Sequence, residues 1–320
     1  MSITDSEMTT LRALSNDLAA AVERAGAATV AVHARNRVAS SGVHWRPGVI
    51  VTADHTVEHE DNITVTLADG TSVPATLAGR DPNTDLAVLR LGGDATATVA
   101  QLGDAAALKV GHLALALGRT DGSGVAASLG AISAVGGGWS TGRGGQIDQF
   151  IRADVTYYPG FSGGPLVDAA GQVVGINTSG LSRSMGLTIP VATVNRVVDA
   201  LLTKGRIARG YFGVSLQPVR LPDSLKTALG TDAGAGLIAV SVEEGGPAAH
   251  AGMMIGDILV SVGGQNVEDT DAVQAFLAPD KVGTQVTARV ARGGAATDLT
   301  ITVGERPQTA TAGEHSQKGR

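Results

Sequence analysis

The hydrophobic positions of this chain follow two different periods. Near the N-terminus they recur at helical spacing, which predicts an amphipathic helix whose apolar face carries Met8, Leu11, Leu14, Leu18, Ala21 and Val22. From about residue 28 to residue 190 the pattern changes to short β-branched runs cut by Gly, Asp and Asn, as at 49–52 and 173–176. Many short strands separated by turns are typical of a β-sandwich or a β-barrel.

A second helical stripe follows the strand-rich region. Pro190 precedes it, and Gly205 is in position to cap its C-terminal end. Its apolar side chains are Val191, Val194, Val197, Val198, Leu201 and Leu202. A short basic linker then leads into another strand-rich unit that ends near Val303. We therefore predict four segments, namely a helical segment at 1–25, a first domain at 26–205, a second domain at 206–305 and a disordered tail at 306–320.

Composition narrows the class of protein. The 320 residues include 44 Gly but only two Trp, three Tyr and four Phe, which favours turn-rich β architecture over helical bundles. The net charge of −6 gives no electrostatic reason to bind nucleic acid or an anionic membrane. The absence of Cys excludes disulfides, thiol catalysis and cysteine-bound metals. With no signal-peptide pattern and no apolar run of about 20 residues, the sequence predicts a soluble, cytoplasmic protein.

A serine lies in the glycine-rich run at 159–166. Gly160 lets the backbone turn so that the amides of Gly160 and Ser162 point at one spot, which can serve as an oxyanion hole. The two glycines after the serine leave room for a substrate backbone. This run therefore predicts a nucleophilic serine, provided that a base and a carboxylate join it.

Both partners are present upstream. His55 follows the apolar run at 49–52, and Asp85 begins another at 85–89, which gives the order His, Asp, Ser. In this chemistry the serine attacks a carbonyl, the histidine takes its proton, and the aspartate fixes the histidine tautomer and stabilises the imidazolium. The sequence thus predicts a triad of His55, Asp85 and Ser162.

Three motifs resemble the trypsin-like serine proteases of the HtrA (Deg) family, namely Thr-Ala-Asp-His-Thr-Val at 52–57, Thr-Asp-Leu-Ala-Val-Leu at 84–89 and Pro-Gly-Phe-Ser-Gly-Gly-Pro-Leu at 159–166. The resemblance implies a mainly β fold, in which a chymotrypsin-like double β-barrel protease domain at 26–205 is followed by an α+β PDZ domain at 206–305. It also implies a homo-oligomer, specifically a trimer. Residues 186–189 resemble the strand with which the family pairs its substrate.

The run Gly-Tyr-Phe-Gly-Val at 210–214 resembles the carboxylate-binding loop of PDZ domains. Successive amides there would accept the terminal carboxylate of a peptide while the peptide adds to the sheet as a β-strand. A helix at about 271–277, with Thr270 as its N-cap, would form the other wall of the groove. The predicted peptide-binding residues are Tyr211, Phe212, Gly213 and Val214.

The sequence therefore predicts an ATP-independent serine endopeptidase for protein quality control. Its partners would be unfolded or misfolded polypeptides and peptide C-termini, and the reaction would need no cofactor and no metal.

Phe161 stands where the family usually has Asn, and a ring beside the nucleophile that distorted the oxyanion turn would leave a proteolytically silent chaperone or scaffold. The run from His55 to His59 also matches the H-x-x-E-H pattern of some metallopeptidases, which requires a helix so that both histidines face one metal.

Overall fold

The chain divides into two compact units, Met1–Ile207 and Ala208–Arg320. A computed structural model describes residues 5–36, 38–93, 97–120, 124–142, 144–182, 185–277 and 281–306. Apart from Arg306, the predicted tail at 306–320 lies outside these ranges. Within them, no helix is both long enough and apolar enough to cross a membrane.

The first unit begins with helix α1, Asp5–Gly26, which is followed by a closed barrel of antiparallel strands in the order β1-β2-β3-β6-β5-β4. The strands are β1 Thr29–His33, β2 Ser40–Arg46, β3 Val49–Ala53, β4 Thr64–Thr66, β5 Ser72–Asp81 and β6 Leu86–Leu91. Their β-branched and leucine side chains pack in the barrel interior, among them Val30, Val32, Ile50, Val65 and Leu89. Closure leaves the strands of this sheet without a free edge.

A second barrel follows in the same unit. Its region contains β7 Leu113–Gly118, β8 Ala126–Gly136, β9 Trp139–Ser140, β10 Gln146–Ile147, β11 Phe150–Asp154, β12 Pro165–Asp168, β13 Val173–Thr178 and β14 Leu187–Pro190. Strands β9 and β10 pair as a short hairpin, and the other six close in the order β11-β14-β13-β12-β7-β8. The predicted double barrel is therefore confirmed. Strand β14 pairs with β13 on one side and β11 on the other, so the prediction that 186–189 pairs with substrate is wrong.

Helix α2, Val191–Lys204, closes the first unit where the apolar stripe predicted a helix. Pro190 occupies the N-cap position, and Gly205 ends the helix in the left-handed conformation at φ 69°, with its amide 2.9 Å from the carbonyl oxygen of Leu201. The indole nitrogen of Trp45 on β2 donates to Asn195 Oδ1 at 2.8 Å. This bond fastens α2 to the first barrel.

The second unit is a mixed α and β domain with a sheet in the order β16-β17-β18-β20-β21, in which β19 also pairs with β18. Among the described residues of this unit, β16 pairs with β17 alone, which makes it an edge strand of the sheet. Strands β15 and β22 form a separate pair. The elements are β15 Gly210–Tyr211, β16 Val214–Arg220, α3 Asp223–Leu229, β17 Ala235–Val242, α4 Pro247–His250, β18 Ile258–Val262, β19 Gln265–Asn266, α5 Thr270–Gln274, β20 Gln285–Arg292, β21 Ala295–Thr302 and β22 Gly304–Glu305.

Candidate active site

His55 and Asp85 form a hydrogen-bonded pair at one end of the first barrel, where β3 ends and β6 begins. His55 lies in a 3₁₀ turn, Asp54–Thr56, directly after β3, and Asp85 precedes β6 with φ 56°, a conformation that aspartate tolerates. His55 Nδ1 lies 2.8 Å from Asp85 Oδ2 and 3.0 Å from Oδ1. The Asp85 side chain is only 4% exposed, whereas that of His55 is 35% exposed. The buried carboxylate therefore keeps the proton on Nδ1 and leaves Nε2 as the basic nitrogen.

Thr178 completes the hydrogen bonding of the carboxylate. Its hydroxyl, at the end of β13, donates to Asp85 Oδ2 and accepts from the Gly180 amide at 2.9 Å. A Cβ on Gly180 would lie 2.7 Å from both Asp85 Oδ2 and His55 Nδ1, so the chain passes close against the pair. The sequence reasoning missed Thr178 and Gly180. The sequence feature that could have indicated them is their position shortly after the apolar run at 173–176, which forms most of β13.

The backbone before Ser162 forms a tight turn. The Phe161 amide donates to the Tyr158 carbonyl at 3.0 Å, with Pro159 in the second position and Gly160 in the third at φ 89°, which is a type II turn. Within the described residues, the amides of Gly160 and Ser162 donate to no protein acceptor. Both are therefore available to an anion at the mouth of the turn.

Ser41 on β2 fixes the orientation of this turn from the first barrel. Its amide donates to the carbonyl oxygens of Gly160 at 2.9 Å and Ser162 at 3.2 Å, and its hydroxyl donates to that of Gly160 at 2.7 Å. The same hydroxyl accepts from the Arg119 amide at 2.9 Å. With these carbonyls tied back to the barrel, the turn is held in one conformation.

The sequence left open a Phe161 ring beside the nucleophile, but the side chain points away from the cleft into the second barrel. The residue is 2% exposed, and its ring packs in the second barrel's core. A Cβ at Gly118 would lie 2.4 Å from this ring. Tyr158 meets the ring edge-on at 5.3 Å between centroids. The side chain therefore anchors the turn to the second barrel's core. The silent-scaffold hypothesis assumed a ring beside Ser162 that distorts the turn, and the buried ring does not meet that premise.

Ser162, His55 and Ser179 line one open cleft of about 740 Å³. Ser162 Oγ lies 3.1 Å from Ser179 Oγ. Within the described ranges, no hydrogen bond joins Ser162 to His55. The structure thus places His55 and Ser162 in one cleft, with Asp85 buried and bonded to His55, and leaves the serine hydroxyl bonded to another hydroxyl.

The charge next to the catalytic pair is neutralised by a separate ion pair. Asp54, the neighbour of His55, is buried, and burial raises the pKa of its carboxyl, although Arg80 opposes this effect. Arg80 Nε lies 2.5 Å from Asp54 Oδ1.

Burial likewise raises the pKa of Tyr157, whose ring lies over Gly186 at the cleft.

The metallopeptidase hypothesis fails on local structure. The segment that contains His55 is a single 3₁₀ turn, and His59 Nδ1 bonds to the Asp61 carbonyl at 2.8 Å. The two histidines therefore do not share a helix face, as the metal pattern requires. Across the part of the chain that the structure describes, no cluster of three His, Asp or Glu side chains is arranged to hold a metal ion.

A second candidate site lies in the second unit at the start of edge strand β16. Gly213 has φ 74°, and the carbonyls of Phe212 and Gly213 accept from Ala248 at 2.7 Å and Glu243 at 2.8 Å. The amides of Phe212 and Gly213 have no acceptor among the described residues. The neighbouring Tyr211 hydroxyl donates to the Glu243 carboxylate.

Helix α5 contacts β16 and begins one residue earlier than predicted. Thr270 is its first residue, and the Ala272 amide bonds to Asp269 Oδ1 at 2.8 Å. Asp269 is therefore the N-cap, and the prediction of Thr270 was wrong. Either side chain can cap a helix, so the sequence alone did not distinguish them.

Comparison with known proteins matches both units. A model of the trypsin-like peptidase domain matches residues 40–176, and a model of the PDZ domain matches residues 238–292. The structure of the HtrA-type protease AlgW with a decapeptide aligns over 91% of this chain and 99% of its own, at 30% identity and a TM-score of 0.74. This chain belongs to the HtrA family of serine proteases. The serine endoprotease from Yersinia pestis gives a similar match, with a TM-score of 0.72 at 30% identity.

The predicted HtrA fold, a double β-barrel protease domain with a PDZ domain, is therefore confirmed. The PDZ match begins after the candidate carboxylate loop, so the assignment of Tyr211, Phe212, Gly213 and Val214 stays a prediction.

The chain spans about half the length of the curated relatives it matches. It covers 58% of a DegP-like protease of Halomonas elongata, at 36% identity over 290 residues, and 51% of one from Brucella suis. Both are named probable periplasmic serine endoproteases, so the prediction of a cytoplasmic location was wrong.

Proposed function

We propose that this HtrA-family chain is a serine endopeptidase with Ser162 as nucleophile, His55 as general base and Asp85 as the carboxylate that orients His55. One observation carries this assignment. His55, bonded to the buried Asp85, lines one cleft with Ser162, whose turn presents two amides that donate to no acceptor among the described residues. Catalysis by such a set needs no cofactor, because each proton transfer has a residue assigned to it.

In the proposed reaction Ser162 Oγ attacks the carbonyl carbon of a peptide bond, and its proton passes to His55 Nε2. The amides of Gly160 and Ser162 bind the resulting oxyanion, a contribution of about 3–4 kcal/mol per donor in comparable enzymes. The leaving amine takes the proton from His55. Water then attacks the acyl-enzyme by the same route and releases Ser162.

The substrates we propose are unfolded or misfolded polypeptides, in a periplasmic location like that named for the relatives. A peptide C-terminus would add to the free edge of β16, with its carboxylate on the amides of Phe212, Gly213 and Val214. A structural neighbour described with a decapeptide supports a peptide ligand. The trimer also stays a prediction, which light scattering of the purified protein would test.

The experiment that tests this proposal is fluorophosphonate labelling and casein degradation by the wild type and Ser162→Ala in parallel. We expect both activities in the wild type and neither in the variant, because the reagent bonds covalently to the serine oxygen. Ser140→Ala, which removes a hydroxyl on β9, is the matched control and should behave like the wild type. A wild type that binds peptides but neither labels nor cleaves would contradict the proposal and favour a silent scaffold.

A further inference from the structure

Two serine hydroxyls meet in the cleft, and only one of them belongs to the proposed triad. Ser162 Oγ and Ser179 Oγ lie 3.1 Å apart. Each hydroxyl has a single proton. Among the described residues, this is the hydrogen bond that Ser162 Oγ makes, and His55 is not its partner.

The backbone that carries Ser179 is fixed on both sides of it. Thr178 bonds to Asp85 through its hydroxyl, and the Gly180 amide donates back to that hydroxyl at 2.9 Å. Gly180 also lies too close to His55 and Asp85 to admit a Cβ. The Cα of Ser179 is therefore held against the His–Asp pair and cannot follow Ser162 when Ser162 turns toward His55.

General base catalysis requires the serine oxygen to lie within about 2.6–3.2 Å of His55 Nε2. When Ser162 donates its proton to Ser179, that proton does not point at the base. When Ser179 donates instead, it occupies a lone pair of the attacking oxygen. When Ser162 is the donor, the bond must break before its proton passes to His55. When Ser179 is the donor, the Ser162 proton is free, and the bond opposes attack because it holds Ser162 Oγ where it makes no hydrogen bond with His55 among the described residues.

We propose that Ser179 is a positioning residue that holds the Ser162 hydroxyl away from His55 while the cleft is empty. The proposal rests on the proposed function, since it assumes that Ser162 is the nucleophile. Ser179 takes no part in the bond changes of the reaction. Its role is to set how much of the free enzyme has the nucleophile in contact with the base.

The test is the second-order rate constant of fluorophosphonate labelling for the wild type, Ser179→Ala and Ser179→Thr in the full chain. Removal of the hydroxyl should accelerate labelling roughly twofold to tenfold, which corresponds to the loss of one neutral hydrogen bond. Ser179→Thr keeps the hydroxyl and should label at close to the wild-type rate. Ser140→Ala, outside the cleft, should leave the rate unchanged. Structural damage alone would slow labelling, so an acceleration that Thr reverses reports on the hydroxyl itself.

Ser179→Gly removes the same hydroxyl and should show the same acceleration, which guards against a folding defect in the Ala variant. Labelling of both variants at or below the wild-type rate, with unchanged melting temperatures, would overturn the role of Ser179 and leave the proposed function intact. Failure of Ser162 to label in the wild type and in every variant would overturn the proposed function and this proposal together.

Discussion

At the scale of single residues, the geometry of the His55–Asp85 pair requires glycine at position 180, because the pair leaves no room for a side chain there. A Cβ there would lie 2.7 Å from atoms of both residues, well inside van der Waals contact. We therefore expect Gly180→Ala to displace the pair and to slow fluorophosphonate labelling of Ser162 roughly 100-fold, the usual effect of misplacing a catalytic group by about 1 Å. Labelling rates measured alongside a melting curve would check this expectation.

The matched control is Gly137→Ala. Gly137 lies in the same unit, and a Cβ there would meet nothing within 4 Å. It should leave both labelling and stability unchanged. Equal labelling rates for the two Ala variants would show that the close approach at Gly180 has no catalytic consequence.

The residues that carry the proposed chemistry were easier to predict than those that position them. His55, Asp85 and Ser162 stand in motifs whose local sequence is restrictive. The roles of Ser41 and Thr178 depend on barrel closure, which brings β2 to the oxyanion turn and the end of β13 to Asp85. A lone Ser or Thr in a strand has no local pattern that predicts such a contact.

At the scale of elements, the edge strand β16 contains Pro218 opposite Leu237 of β17. Proline has no amide hydrogen, and in sheets its nitrogen faces the open edge of an edge strand. A peptide anchored by its carboxylate at 212–214 would reach Pro218 about four residues before its C-terminus, since paired strands advance residue by residue. The wild type should therefore gain little affinity when a tetrapeptide is lengthened to an octapeptide, because Pro218 offers the added residues only its carbonyl.

Pro218→Ala should restore the missing donor. We expect it to raise the affinity of the octapeptide roughly fivefold, the value of about one backbone hydrogen bond, and to leave a tripeptide unaffected. Fluorescence polarisation with labelled peptides of both lengths would measure this. Pro222→Ala, at the N-cap of α3, is the control. An equal gain for both peptide lengths would refute the assigned register.

Elements were predictable where one local signal determined them. The apolar stripe, Pro190 and Gly205 together bounded α2. In contrast, the β-branched run of β14 indicated a strand but not its neighbours, and it proved to lie between β11 and β13. Strand neighbours are set by the closure of the whole barrel, which no short window of sequence contains.

At the scale of the whole molecule, each unit has its own hydrophobic clusters. In the first unit they fill the two barrels and the interface with α2, and Leu166 is fully buried among them. In the second unit Leu237 is fully buried in the largest cluster. The order of motifs predicted these two domains because each motif belongs to one of them. Separate cores lead us to expect that each unit unfolds by its own transition.

Leu237→Ala should test this expectation, because a cavity in the second core should lower the stability of that unit by about 2–5 kcal/mol. Both tryptophans, Trp45 and Trp139, lie in the first unit, so tryptophan fluorescence in urea follows the first unit alone, while far-ultraviolet circular dichroism follows both. The variant should shift the dichroism curve to lower urea and leave the fluorescence midpoint and Ser162 labelling in place. Leu166→Ala, the matched change in the first core, should shift the fluorescence midpoint and abolish labelling at lower urea. A fluorescence shift of equal size in both variants would mean that the two units unfold together.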